Sequence, residues 1–299
     1  MIGTNRNGSV GFLTALAIIG GGCRSADGTR EEDRGVSGNT STFIDGQAGK
    51  LRVNDAGSGG LPVLFVHGNG GNRTQWTAQL DHLRPRRRVI ALDLRGHGES
   101  EPATDSDYSV QAFAGDIAAV ADSLGLERFV LVGHSFGGAV AAAYSGRLPD
   151  RVAGLLLVDP AGDLSRLPRD SLQGWLELLN PQTYEAHTQE WFEQILVEAA
   201  DGVSEQVFQS LRSTPRDVFV GGITGLADFD PVASLTAYTG PKLTIITPIN
   251  NEPFSLQNLV EDLPHEQMTG VSHWLMMDRP EEFNHLMDQF LVRVESIGG

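Results

Sequence analysis

The stretch Phe129-Val130-Leu131-Val132-Gly133-His134-Ser135-Phe136-Gly137-Gly138-Ala139 decides how this chain folds. Its first four residues form an apolar run without alternation, the pattern of a strand covered on both faces. From Ala139 to Arg147 the sequence is alanine-rich and reads as a helix. Between them lies Gly133-x-Ser135-x-Gly137. A strand that passes so abruptly into a helix holds the middle residue in a strained backbone. Glycine two positions to either side removes the Cβ atoms that would collide there. The Ser135 side chain then stands exposed at the apex, near the positive end of the following helix. A hydroxyl so placed is a nucleophile that lacks only a base.

Working outward, the alternation repeats. Thr42–Ile44 and Lys50–Val53 read as two hairpin strands. Leu61–Val66, Arg88–Leu92, Phe129–Val132, Leu155–Val158 and Leu243–Ile246 are apolar runs, and Glu266–Met268 is a weaker last one. Helical segments separate most of them: Trp76–Leu83, Val110–Leu124, and Pro280–Val294 with Phe283, Leu286, Met287 and Phe290 on one face. This order predicts an α/β fold, an eight-stranded, mostly parallel sheet with helices on both faces. Residues 162–237 break the alternation. They contain no convincing strand, while Leu172, Trp175 and Leu176 suit one helix and Trp191, Phe192 and Ile195 another. Asp230-Pro231 reads as an N-cap followed by proline at the first helical position. The block is expected to be a helical cap inserted after the sixth strand.

The 299 residues suffice for one large α/β domain or two smaller ones. A net charge of -16 repels phosphate backbones, which argues against nucleic acid as a partner. Residues 1–23 differ from the rest. Arg6 precedes the apolar run Val10–Ile19, then Gly20-Gly21-Gly22 and Cys23, the only cysteine. This reads as an export signal, too short for a mature membrane span. Cys23 sits where bacterial lipoproteins carry their lipidated residue, so membrane attachment through it is an expectation. Residues 24–41 are polar and read as a flexible tether, with the folded domain from 42 to 299. A lone cysteine forms no internal disulfide. There is no His-Glu-x-x-His pair and no paired cysteine for a metal, and Gly68–Gly71 lacks the Lys-Ser/Thr of a phosphate-binding loop. Neither metal nor cofactor is expected. The sequence is silent on oligomeric state.

Three further motifs accompany the serine: His67-Gly68-Asn69-Gly70-Gly71 after a strand, Asp93-Leu94-Arg95-Gly96-His97-Gly98-Glu99-Ser100 after another, and Gly270-Val271-Ser272-His273-Trp274 before the last helix. Together and in this order they resemble the α/β-hydrolase family, over about Thr42–Val294. The resemblance implies that the Asn69 backbone N–H and the Phe136 backbone N–H form an oxyanion hole, and that His273 is the general base. The Asp93–Ser100 segment is expected to shape the region behind the site. The family's acid often follows the seventh strand, but Thr247-Pro248-Ile249-Asn250-Asn251-Glu252-Pro253 has asparagines there. Two carboxylates compete for the role. Asp159 ends the sixth strand, where some family members place their acid and where catalytic groups gather in parallel sheets. Glu252 lies on the usual loop, one or two residues late. A third option is that no acid functions.

A serine rather than an aspartate at the elbow weighs against the dehalogenase and epoxide-hydrolase branches. The reading is a serine hydrolase acting on a small-molecule carboxylic ester or other acyl substrate through an acyl-enzyme. Its alternatives are a cofactor-free perhydrolase or carbon–carbon bond hydrolase of the same fold, or a ligand-binding pseudoenzyme.

Overall fold

The computed structural model describes residues 40–298. The export signal, Cys23 and most of the tether lie outside the described residues. The first described strand begins two residues before the expected Thr42. Thr40 and Ser41 open strand β1 (Thr40–Asp45), because both pair with β2 (Lys50–Ala56) in an antiparallel hairpin.

Six more strands complete the sheet: β3 (Val63–Val66), β4 (Val89–Leu92), β5 (Phe129–His134), β6 (Val152–Val158), β7 (Lys242–Ile246) and β8 (His265–Gln267). Their spatial order is β1-β2-β4-β3-β5-β6-β7-β8, with β2 antiparallel to β4 and every later pair parallel. The sheet is thus mostly parallel and its centre is β3 and β5. Every residue of β3, β4, β5 and β6 is buried, which is why these strands read as unbroken apolar runs.

Two helical layers cover the faces. α2 (Val110–Ser123), α3 (Phe136–Arg147), α8 (Pro231–Ala237) and α9 (Leu256–Leu259) pack on the side of Leu64, Leu131 and Leu155. α1 (Thr77–Leu83), α10 (Leu275–Asp278) and α11 (Pro280–Gly298) pack on the side of Phe65, Val132 and Leu156. Alternate residues of one strand serve the two cores, the period-2 consequence of the pleat.

Between β6 and β7 the chain forms five helices. α4 (Arg169–Glu177), α5 (Tyr184–Ile195) and α7 (Arg216–Ala227) wall a cavity at the carboxyl ends of the strands, and α6 (Val203–Ser213) packs beside them through Val203, Val207 and Leu211 without lining it. The fifth, α8, begins at the expected cap: Asp230 accepts from Ala233 N at 3.0 Å, with Pro231 next. It packs against α3 in the sheet's own layer, so the cap ends before residue 231, earlier than the sequence boundary at 237. A short apolar helix flanked by turns carries no sign of which partner will cover it.

Candidate active site

Ser135 sits between β5 and α3 with φ +53° and ψ −120°, a conformation that costs a non-glycine residue roughly 1–3 kcal/mol. The surroundings enforce it. A Cβ on Gly133 would run into the Gly137 carbonyl, and one on Gly137 into the carbonyls of His67 and Val66. Ser135 N donates to Val158 O at 2.9 Å, and Ala161 N donates back to Ser135 O at 3.1 Å. The elbow is thereby stitched to the end of β6.

Asp159 occupies that end. It is fully buried and also has a positive φ, +42°. Its carboxylate receives His273 Nδ1 at 2.5 Å, Thr247 N at 2.7 Å and Thr247 Oγ1 at 3.0 Å. An acceptor-only carboxylate against Nδ1 puts the ring hydrogen on Nδ1 and leaves Nε2 as the basic nitrogen. Glu252 is exposed, and no hydrogen bond or ion pair joins its carboxylate to His273. The loop after β7 therefore serves the carboxylate instead of carrying it. Thr247 donates to Asp159, and Asn250 Nδ2 donates to Pro160 O at 2.8 Å.

Ser135 and His273 line the same cavity. Among the described residues no hydrogen bond joins Ser135 Oγ to the ring; such contacts characteristically tighten when the reacting group is bound. The turn after β3 closes the other side. A Cβ on Gly68 would stand 3.1 Å from Ser135 Cβ and 3.0 Å from His134 Nδ1, so glycine is what lets this turn approach the serine. Asn69 and Phe136 follow at the cavity wall. Among the described residues their backbone N–H groups have no backbone hydrogen-bond partner. Phe136 opens α3, where the first N–H groups are unpaired and the helix dipole is positive. Two free donors beside a serine can receive a developing oxyanion.

The cavity holds about 510 Å³. Its walls are Trp175, Trp191, Phe192, Phe219 and Ile223 from the cap, with Leu164, Phe254 and Trp274. Trp175 and Trp191 meet edge-on, ring centres 5.0 Å apart. Among the described residues no lysine or arginine lines it, and besides His134, Asp159 and His273 the one titratable lining residue is Glu252.

Three buried histidines, His67, His97 and His134, stand behind the site. His134 Nε2 donates to His273 O at 2.8 Å, tying the elbow to the loop that carries His273. Burial, then the nearby His273, hold its pKa well below the ordinary value. His67 accepts from Leu94 N at 3.0 Å and donates through Nδ1 to Gly68 O at 2.7 Å; burial pushes its pKa down to about 4. His97 faces Asn69 Oδ1 at 3.0 Å and is lowered to about 3 by burial and by His67. The histidines sit in two separate strand-end turns, His67-Gly68 and Gly96-His97, and single histidines do not announce such partners. Asp93 and Arg95 are structural, bound to Arg73 and Asp116.

Comparison with known proteins agrees with this architecture. The family described as alpha/beta hydrolase fold matches residues 62–200. The sheet order and that match together define the class at the level of the fold: the chain has the alpha/beta hydrolase fold. A thermophilic esterase from Thermogutta terrifontis superposes with a TM-score of 0.71 at 26% identity, covering 85% of this chain and 99% of the esterase. The 2-hydroxy-6-oxo-2,4-heptadienoate hydrolase of Pseudomonas putida is 27% identical over 261 residues, 82% of this chain and 94% of that protein. The dihydrolipoyllysine-residue acetyltransferase component of the acetoin cleaving system of Cupriavidus necator is 39% identical over 137 residues, 46% of this chain and 36% of its own length. The chain matches only about a third of such longer relatives, 36% and 33% for two of them. Esterases and a carbon–carbon bond hydrolase thus stand among its relatives, which supports an enzyme of hydrolase type.

Proposed function

We propose that this protein is a serine hydrolase that cleaves neutral carboxylic esters through an acyl-enzyme. The observation that carries the reading is one cavity lined by five groups: a strained serine, an imidazole bound to a buried carboxylate, and two unpaired backbone N–H donors. In this mechanism His273 Nε2 takes the Ser135 proton as Oγ attacks the acyl carbon. Asp159 stabilises the imidazolium, and the Asn69 and Phe136 amides receive the oxyanion. His273 then protonates the leaving alcohol. Water, deprotonated by the same ring, attacks the acyl-serine, and its collapse returns the proton to Ser135. Each oxyanion donor contributes on the order of 3 kcal/mol to the barrier reduction.

The main rival is cleavage of a carbon–carbon bond, the activity named for the Pseudomonas putida relative. That substrate's name denotes a carboxylate. A buried anion needs a paired cation, and the cavity lining offers Glu252 and no arginine or lysine. The lining therefore favours uncharged apolar acyl and alcohol groups. The test has two parts. A fluorophosphonate probe is expected to label the wild type and not Ser135→Ala. p-Nitrophenyl butyrate is expected to turn over, and a 2-hydroxy-6-oxo-dienoate is not. Failure of the folded protein both to label and to hydrolyse the ester sinks the proposal. The export signal read over residues 1–23 adds the proposal that the enzyme works outside the cytoplasm, lipidated at Cys23. Incorporation of a fatty-acid analogue, lost in Cys23→Ser, tests it.

A further inference from the structure

We infer that the Asn69 side chain is a positioning element that makes the oxyanion hole depend on where cap helix α7 sits. The inference rests on the ester-hydrolase reading, in which the Asn69 backbone N–H is one of the two donors.

Asn69 stands between core and cap. Its Nδ2 donates to Phe219 O on α7 at 2.9 Å, across 150 residues of sequence. Its Oδ1 faces His97 Nε2 at 3.0 Å. Both polar atoms of the amide are engaged on opposite sides, so its orientation fixes the backbone that carries the free N–H. The two sides are unequal. His97 is neutral, with its pKa lowered to about 3. Its one ring hydrogen is shared between two oxygens, Arg95 O at Nδ1 and Asn69 Oδ1 at Nε2, each 3.0 Å away. Asn69 Nδ2 carries hydrogens of its own, so its bond to the Phe219 carbonyl does not depend on a shared proton and is the firmer anchor. A displacement of α7 therefore carries Asn69 with it.

A second residue of α7 touches the same amide. Gly222, one turn on, is buried, and a Cβ there would lie 3.2 Å from Asn69 Oδ1 and 3.3 Å from Nδ2. That is tight enough to displace the amide by a few tenths of an ångström. Gly222 does not line the cavity, and alanine is the better helix former. Gly222→Ala thus perturbs the donor from the cap side without touching substrate or weakening the helix. The base is tied to the cap as well: His273 N donates to Ile195 O at the end of α5 at 3.0 Å. Each polar end of the site is bonded to a different cap helix.

The experiment is a double-mutant cycle with Asn69→Ala and Gly222→Ala on p-nitrophenyl butyrate, read as kcat and KM, with thermal unfolding as the folding control. A trifluoromethyl ketone, whose serine adduct places an oxyanion in the hole, reports the hole directly. Asn69→Ala keeps the backbone N–H and loses only the clamp. We expect kcat to fall about ten-fold in Asn69→Ala and about five-fold in Gly222→Ala, with KM changed less than about two-fold. The ketone should weaken in proportion to the loss in kcat/KM, and the double variant should be no worse than Asn69→Ala alone. Wild-type kcat in both single variants, or independent losses that multiply in the double, overturns the coupling while leaving the esterase reading intact. A wild type that does not turn over the ester overturns both. If Asn69→Ala does not fold, Gly222→Ala against the wild type decides alone: an unchanged kcat and ketone affinity refute the inference.

Discussion

The rim of the sheet and the cap above it are built on different terms. Ten of the twelve residues of α3, which carries the elbow, are buried, whereas none of the nine residues of α4 is. At the rim, Ser135 and Asp159 are held by backbone bonds between neighbouring strand ends and by complete burial of the carboxylate. The cap contributes aromatic rings, half-buried for Trp175 and Trp191 and buried for Phe192 and Phe219, and main-chain carbonyls. Closely packed cores resist displacement, and sparsely buried helices open at lower cost. Ser135 and Asp159 thus sit in the part that resists displacement, while the cap shapes the cavity and holds the Asn69 amide and the His273 backbone through main-chain carbonyls.

The sharpest way to break this division is at the rim. Ser135→Ala is expected to lower kcat on p-nitrophenyl butyrate by about 10⁴-fold or more, with an unchanged unfolding midpoint. Retention of more than about 1% activity would move the chemistry elsewhere. Next comes the acid. Asp159→Asn is expected to cost about 10³–10⁴-fold in kcat, since an amide cannot stabilise imidazolium, whereas Glu252→Gln should change it less than about three-fold. The reverse ranking would hand the role to the loop after β7.

A cap substitution should act differently in kind. Trp191→Ala opens the aromatic wall beside Trp175 and Phe219. Its expected effect is about a ten-fold fall in kcat/KM for hexanoate esters, near 1.4 kcal/mol, with acetate esters almost unaffected. A uniform loss across chain lengths would mean that the cap holds the catalytic groups more than the substrate.

The smallest effect concerns stability. His67 and His97 are held neutral, with pKa values of about 4 and about 3 against an unfolded value of 6.5. The unfolded chain therefore binds more protons below pH 6.5. Their contribution is fully present above that pH and is lost as pH falls toward 4 and 3. By pH 5 each ring should cost on the order of 2 kcal/mol. Urea unfolding at pH 7.5 and 5 checks this, and His97→Gln should narrow the difference between the two.

Much of the fold was legible because its signals are local. Buried parallel strands show as unbroken apolar runs, and the elbow as glycines at fixed offsets from a serine. The misjudged features depend on contacts. Thr40 and Ser41 are polar yet belong to β1 because β2 supplies their partners. Residues 231–237 looked like cap and pack on α3 instead. Sequence spacing does not say which of two surfaces a short helix will cover.

By itself the sequence determined the buried strands, the serine at the elbow, the glycine-rich turn after an earlier strand and the histidine before the last helix, because each is written in fewer than ten consecutive residues. Only the tertiary structure joined Asp159, and not Glu252, to His273 across 114 residues, and put Asn69 in the grip of α7. Such pairings depend on where strands end and helices return. Burial and hydrogen-bond geometry select them only once the chain has closed on itself.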